Sequence, residues 1–187
     1  NDNSADYFNT LFCNTKKIIR YHRNSIAVLT GNETFEDYKN LADDVFLYFG
    51  LGCRNVAKLY VPRSFDFNSM KIAFDTQFPN MSHPDYCDNY NYQKSILKMH
   101  KVDFIDFNNI LLVESNQLNS PVSVLYYEYY DDIQLVKNNI SFHQNKIQCV
   151  VGMHNICNSS IKFGHTQQPT LWDAPDNIDV MNFLAHN

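Results

Sequence analysis

Apolar residues recur along the chain in two rhythms, one helical and one strand-like, and the rhythms take turns. In "SADYFNTLF" Tyr7, Phe8 and Leu11 share one face behind Asn3 or Ser4, which predicts a helix over 4–12. "KIIRY" and "SIAVLTG" are short β-rich runs, the second closed by Gly31. Thr34 and Asp37 have the spacing of a capping box, with Asp in place of the usual Glu. Behind them Phe35, Tyr38, Leu41, Ala42, Val45 and Tyr48-Phe49 keep helical spacing, and Gly50 is the predicted stop. "AKLYVP" reads as a strand ended by Pro62, and "DFNSMKIAFDTQF" as an amphipathic helix. From Asn80 to Asn91 the density of Pro, Asp and Asn predicts irregular chain, after which "YNYQKSILKMH" returns to helical spacing.

The second half continues the alternation. "VDFIDF" and "ILLVE" look like paired strands, and "SPVSVLYYEYYDD" is a strand rich in aromatics. Asp131-Asp132 caps a short helix through Asn139, and "KIQCVVG" and "SIKFG" read as strands, the first buried. Strands alternating with helices predict an α/β fold with a mostly parallel sheet flanked by helices. Residues 1–187 read as a single domain without internal repeat.

Composition narrows the classes of function. A hydrophobic content of 44% in 187 residues is enough to fill a core. A net charge of -5 argues against a nucleic-acid partner, which asks for a basic face. No apolar run approaches the ~20 residues of a membrane span, and the first residues lack the order of a signal peptide. The cysteines, Cys13, Cys53, Cys87, Cys149 and Cys157, are odd in number and irregularly spaced, so they predict neither a disulfide framework nor a zinc site. Cys149, His154 and Cys157 match no standard ligand spacing, and no metal is expected. Free thiols indicate a reducing compartment, the cytoplasm.

One short stretch stands apart. "FGLGCRNVAKLYVP" places two of only five glycines beside Cys53. A helix stopping at Gly50, a side chain missing at Gly52 and a cation at Arg54 put this thiol in a tight helix-to-strand turn. There a nearby guanidinium favours thiolate, and turn N–H groups can stabilise an oxyanion. The competing local reading is a small buried hydrophobe at a helix end.

The wider pattern "RNSIAVLTG … DDVFLYFGLGCRNVAKLYVP" resembles the aldehyde dehydrogenase superfamily around its catalytic cysteine. Lys58 matches the basic residue that follows the nucleophile there, and Leu59-Tyr60-Val61 the apolar strand after it. "SPVSVLYYEYYDDIQLVKNN", "KIQCVVG" and "IKFGH" are similar to the later strands and the Pro-Phe-Gly turn of that superfamily. Within it, "YFGLGCRNVAKLYVP", "SPVSVLYYEYYDD" and "PTLWDAPDNIDVMNFL" look closest to the bioluminescence (Lux)-type acyl-CoA reductases.

That resemblance implies a fatty acyl-CoA reductase. Cys53 would take the acyl group from acyl-CoA, and NADPH, held mainly by an N-terminal nucleotide-binding half preceding Asn1, would reduce it to aldehyde. Two departures from hydrolytic aldehyde dehydrogenases point the same way, since Ile19 stands where the water-activating Glu would be and Gln117 where the ribose-binding Glu would be. Gly52 and Arg54 are the implied supporting turn, and Phe163 matches a position lining the acyl tunnel, with core packing as its alternative. The tail around Trp172 implies contact with another subunit in a homo-oligomer. Two alternatives remain open, a hydrolytic NAD-dependent aldehyde dehydrogenase and a non-catalytic binding domain of the same fold.

Overall fold

The computed structural model describes residues 2–78, 83–152, 160–174, 176 and 178–186. Its centre is a seven-stranded sheet in the order β3-β4-β5-β2-β1-β6-β7. Central β1 (Asn24–Val28) lies between β2 (Val56–Pro62) and β6 (Ile147–Gly152), parallel to both. β5 (Val124–Tyr130) continues the parallel ladder beyond β2, followed by β4 (Leu111–Glu114). At one edge β3 (Ile105–Asp106) pairs antiparallel with β4, and at the other β7 (Ser160–Ile161) runs parallel to β6. The α/β architecture with a mostly parallel sheet is therefore present as the alternating rhythms predict.

Helices cover both faces, as the apolar strand residues require. Ala27, Leu29, Leu59, Val61, Leu112, Leu125 and Tyr127 face α2 (Phe35–Phe46) and α3 (Phe67–Gln77), which supply Leu41, Ala42, Val45, Phe46, Met70 and Phe74. On the opposite face Ile26, Val28, Tyr60, Ile147 and Val150 pack with Val136 and Ile140 of α5 (Ile133–Phe142). α4 (Pro84–Met99) lays Tyr90 and Leu97 against Leu111, Val113 and Val124. α1 (Asp2–Leu11) and α6 (Val180–Ala185) keep Tyr7, Phe8, Met181 and Leu184 exposed. Among the described residues no helix is long and apolar enough to cross a membrane.

Capping chemistry starts these helices where the sequence indicates. Thr34 Oγ1 accepts from Asp37 N at 3.1 Å while Asp37 Oδ2 accepts from Thr34 N at 2.8 Å, so Asp serves the reciprocal box as Glu would. Asp132 caps α5 through Gln134 N.

Three elements differ from the expectation. "KIIRY" forms no strand: residues 17–21 join no ladder of the sheet. The residues from Pro84 to Asn91 are helical: Pro84 occupies the first turn of α4, where its missing N–H costs nothing, and Asp85 complements the helix dipole. Pro79 and Asn80 lie outside the described residues. Finally, α2 ends at Phe46 and not at Gly50, for reasons that belong to the site.

Candidate active site

Between α2 and β2 the chain makes an unusual exit. Leu47–Gly50 is a turn of 3-10 helix in which Tyr48 (φ 55), Phe49 (φ 60) and Gly50 (φ 71) are all left-handed. For the two aromatic residues this conformation costs roughly 1–2 kcal/mol each. The buried side chain of Asn55 offsets that cost. Its amide nitrogen donates to the carbonyls of Asp44 (3.1 Å) and Leu47 (2.8 Å), and more weakly to Val45 (3.4 Å), capping the end of α2. Its Oδ1 accepts from Gly52 N at 2.9 Å, and Asn55 N donates back to Gly52 O at 3.0 Å. Phe49 packs on His83 and Tyr86, with ring centroids 5.0 and 6.2 Å away.

Cys53 therefore stands at the corner of a β-turn from Gly52 to Asn55, and it is exposed. Its carbonyl accepts from Ser25 Oγ at 3.0 Å, and the same hydroxyl accepts from Cys149 N at 3.1 Å, linking the turn to β1 and β6. Arg54 Nε donates to Thr166 O, so the guanidinium braces the turn against the 164–167 loop. That loop is held in turn by Asp44, which is 1% exposed. Asp44 accepts from Gly164 N (2.7 Å), Thr166 N (3.0 Å) and Thr166 Oγ1 (2.8 Å). Burial raises the Asp44 carboxyl above its usual range, and these hydrogen bonds pull it back down.

The two glycines serve different ends. Gly50 is required by its positive φ, as the sequence implies, although it closes the 3-10 turn and not α2 itself. Gly52 is not left-handed. A Cβ there would lie 2.9 Å from Asn55 Oδ1 and 3.9 Å from Gln167 Nε2, so glycine makes room for the capping asparagine.

Cys53 differs from the other thiols in its setting. Cys149 is 4% exposed, and burial raises its pKa, which holds it protonated. Cys87 is half-buried; Cys13 is exposed and follows α1; His154 and Cys157 lie outside the described residues. Phe163 is 6% exposed and belongs to the main core cluster around Leu41 and Val61. Arg23, 9% exposed, donates to the carbonyls of Gln144, Ile147 and Asp176. Lys58 is fully buried, is bonded to Glu128 across β2 and β5, and lies 4.8 Å from the Tyr60 ring centroid.

Residues of the turn other than Cys53 border the first of two cavities at the amino ends of the parallel strands. One, of about 160 Å³, lies between Gly50-Leu51-Gly52 and the 119–123 loop, with His22 and Asn24 on its wall. A second, of about 550 Å³, shares His22 and Asn24 and is lined by Gln117, Asn119, Asn145 and Lys146. Sequence reasoning missed Asn55, Asp44 and Thr166. A signal existed for Asp44, a carboxylate three residues after Leu41 on the apolar face of α2.

No protein-family model matches this sequence, and no curated protein matches it. Solved structures do. An indole-3-acetaldehyde dehydrogenase from P. syringae (a cysteine-to-alanine variant with NAD+ and IAA) superimposes with a TM-score of 0.54 at 8% identity, over 80% of this chain and 38% of that one. Aldehyde dehydrogenase 21 from Physcomitrella patens, with the reaction product succinate, gives a TM-score of 0.52 at 10% identity, again over 80% of this chain and 38% of that one. This chain thus spans well under half the length of the structures it matches.

These comparisons correct the sequence-based assignment of function. The two structures named above are aldehyde dehydrogenases, one holding NAD+ and one a carboxylate product, and neither is described as an acyl-CoA reductase. The NADPH-dependent fatty acyl-CoA reductase, with acyl-CoA as its partner, is set aside accordingly, as is the Lux-type subfamily. The physical reason is that an exposed thiol on a braced turn serves aldehyde and thioester alike. The features invoked to separate them, Ile19 and Gln117, are missing carboxylates and so positive evidence for neither. At the level of fold the agreement is direct: the chain shares a mostly parallel α/β fold with part of these aldehyde dehydrogenase structures.

Proposed function

We propose that this chain is the cysteine-bearing catalytic part of a hydrolytic, NAD+-dependent aldehyde dehydrogenase, with the dinucleotide-binding half supplied outside residues 1–187. The observation that carries the proposal is the exposed Cys53 on a turn fixed by Asn55, by Ser25, and by Arg54 through Thr166, which Asp44 holds. Such a site needs to move little on reaction, and preorganisation of this kind is what lowers a barrier.

In this mechanism the Cys53 thiolate adds to the aldehyde carbon, forming a thiohemiacetal whose oxygen carries the charge. Bound NAD+ would supply the hydride acceptor that converts this adduct to a thioester. The larger cavity fits the nicotinamide riboside end of that cofactor, since Asn24, Gln117, Asn119 and Asn145 offer neutral partners for a carboxamide and ribose hydroxyls. The chain carries no Gly-x-Gly-x-x-Gly turn for the diphosphate, in keeping with a separate half for that part. His22, on the wall shared by both cavities, is the side chain that would take a proton from the water that hydrolyses the thioester. The four described cysteines are free, which suits a cytoplasmic setting.

The test is protection of the thiol. Increasing concentrations of aldehyde should saturably slow alkylation of Cys53 by iodoacetamide, read by peptide mass spectrometry, while the exposed Cys13 serves as internal control. The corresponding alcohols should give no protection. Equal protection of both cysteines, or none at Cys53, overturns the reading.

A further inference from the structure

Next to the Cys53 turn lies a polar atom that the fold leaves unsatisfied. Gln167 Nε2 is buried and has no hydrogen-bond partner among the described residues. An amide N–H left in that state costs about 1–3 kcal/mol, so such groups are rare unless a ligand completes them. Its position is set by neighbours already fixed. Thr166 is bonded to Asp44 through both N–H and hydroxyl and to Arg54 through its carbonyl. On the other side Gln168 N donates to His165 O at 3.1 Å. Gln167 thus extends from a rigid loop toward Gly52, its Nε2 lying 3.9 Å from the point a Cβ on Gly52 would occupy. The missing side chain at Gly52 is what lets this donor approach the residue preceding the nucleophile.

The hydrogen bonds of the turn engage Gly52 N–H, Gly52 O, Asn55 N–H and Cys53 O, and the Cys53 N–H is not among the donors they use. Gln167 Nε2 is thus an unpartnered amide donor beside the residue that precedes Cys53. From this geometry we infer that the Gln167 carboxamide is a catalytic hydrogen-bond donor to the oxyanion formed when the Cys53 thiolate adds to a carbonyl. The inference rests on the reading of Cys53 as nucleophile. In the step the sulfur lone pair forms the S–C bond, the carbonyl π pair moves to oxygen, and Nε2–H donates to that oxygen without transferring its proton. With an aldehyde the product is the thiohemiacetal alkoxide. With an activated ester the corresponding tetrahedral alkoxide, which still carries the ester oxygen, collapses, expels the alcohol as its anion and leaves acyl-cysteine.

An activated ester isolates the donor from the rest of the cycle because it needs no cofactor. The experiment measures acetylation of Cys53 by p-nitrophenyl acetate, from nitrophenolate release and peptide mass. It is run beside alkylation by iodoacetamide, which displaces iodide at a saturated carbon and develops no oxyanion. Gln167→Met keeps size and removes the donor; Gln167→Glu keeps shape and places an acceptor there. Both should slow acetylation at least ~10-fold, toward the ~10² typical of a lost oxyanion donor, with alkylation within about twofold of the parent. Unchanged acetylation in Gln167→Met overturns the inference, and so does an equal fall in both reactions, which would mark a change in thiol exposure. A parent protein that acetylates Cys53 no faster than Cys13 refutes the nucleophile itself, a separate result.

Discussion

Replacing Asp44 probes how the scaffold and the site depend on each other. The carboxylate is 1% exposed and receives three hydrogen bonds at 2.7, 3.0 and 2.8 Å, two of them from backbone N–H groups. Bonds to a charged acceptor contribute about 1.5–3 kcal/mol each, which sums to roughly 5–9 kcal/mol before the cost of burying the charge. That cost is real here, since burial is the leading influence on the Asp44 carboxyl and raises its pKa. The net loss for Asp44→Ala should therefore be about 3–5 kcal/mol, comparable to breaking a buried ionic contact. For a chain of this size the melting temperature should fall by roughly 10 °C. Asp44→Asn keeps one acceptor and should lose about half as much.

The dependence on pH has a definite sign. With a folded pKa above its unfolded value, Asp44 contributes stability that is complete below pH 3.8 and declines as pH rises through the folded value. The advantage of the parent over Asp44→Asn should thus be larger in mild acid than at neutral pH, in urea titrations with matched m-values. Hydrogen exchange at Gly164 and Thr166 should accelerate in both variants. A loss below about 1 kcal/mol for Asp44→Ala, with exchange at those two amides unchanged, would refute the idea that this carboxylate holds the loop.

Two further perturbations test other parts of the structure. Gly52→Ala brings a Cβ to 2.9 Å from Asn55 Oδ1. Because Asn55 is held by its helix-capping bonds, the turn must move; a loss of about 1–3 kcal/mol in urea and slower alkylation of Cys53 are expected, and wild-type values for both would contradict it. At the buried pair, Lys58→Met replaces a cation whose pKa is lowered by burial, and the Glu128 left behind is one-third exposed. Glu128→Gln instead strands the ammonium, so it should be the more destabilising change by about 2 kcal/mol. Since the folded pKa of Lys58 lies below 10.5, its contribution to stability improves as pH rises through the folded value toward 10.5, and Lys58→Met should remove that slope.

Much of this protein was legible in its sequence because the deciding forces are local. Residues 24–28, 56–62, 124–130 and 147–152 are strands because apolar, β-favouring runs there are bounded by turn residues. Thr34, Asp37 and Asp132 fix helix starts through bonds spanning two or three residues. Cys53 stood out for the same reason, two glycines within three positions of a thiol.

What the tertiary structure decided depends on groups distant in sequence. The end of α2 was set by the side chain of Asn55, which takes its last carbonyls before the helical pattern at Tyr48-Phe49 can continue. "KIIRY" has the composition of a strand, but a strand exists only where a partner pairs with it, and residues 17–21 join no ladder of the sheet. Phe163 and Lys58 became core residues through sheet and helix packing that spacing cannot reveal. Arg54 beside Cys53 was visible as a charge, yet its guanidinium is directed to a carbonyl 112 residues away. The sequence alone could determine which backbone shapes its segments favour. Which of them meet was decided by long-range packing, because hydrogen bonds and buried surface between distant segments form only once the sheet has brought those segments together.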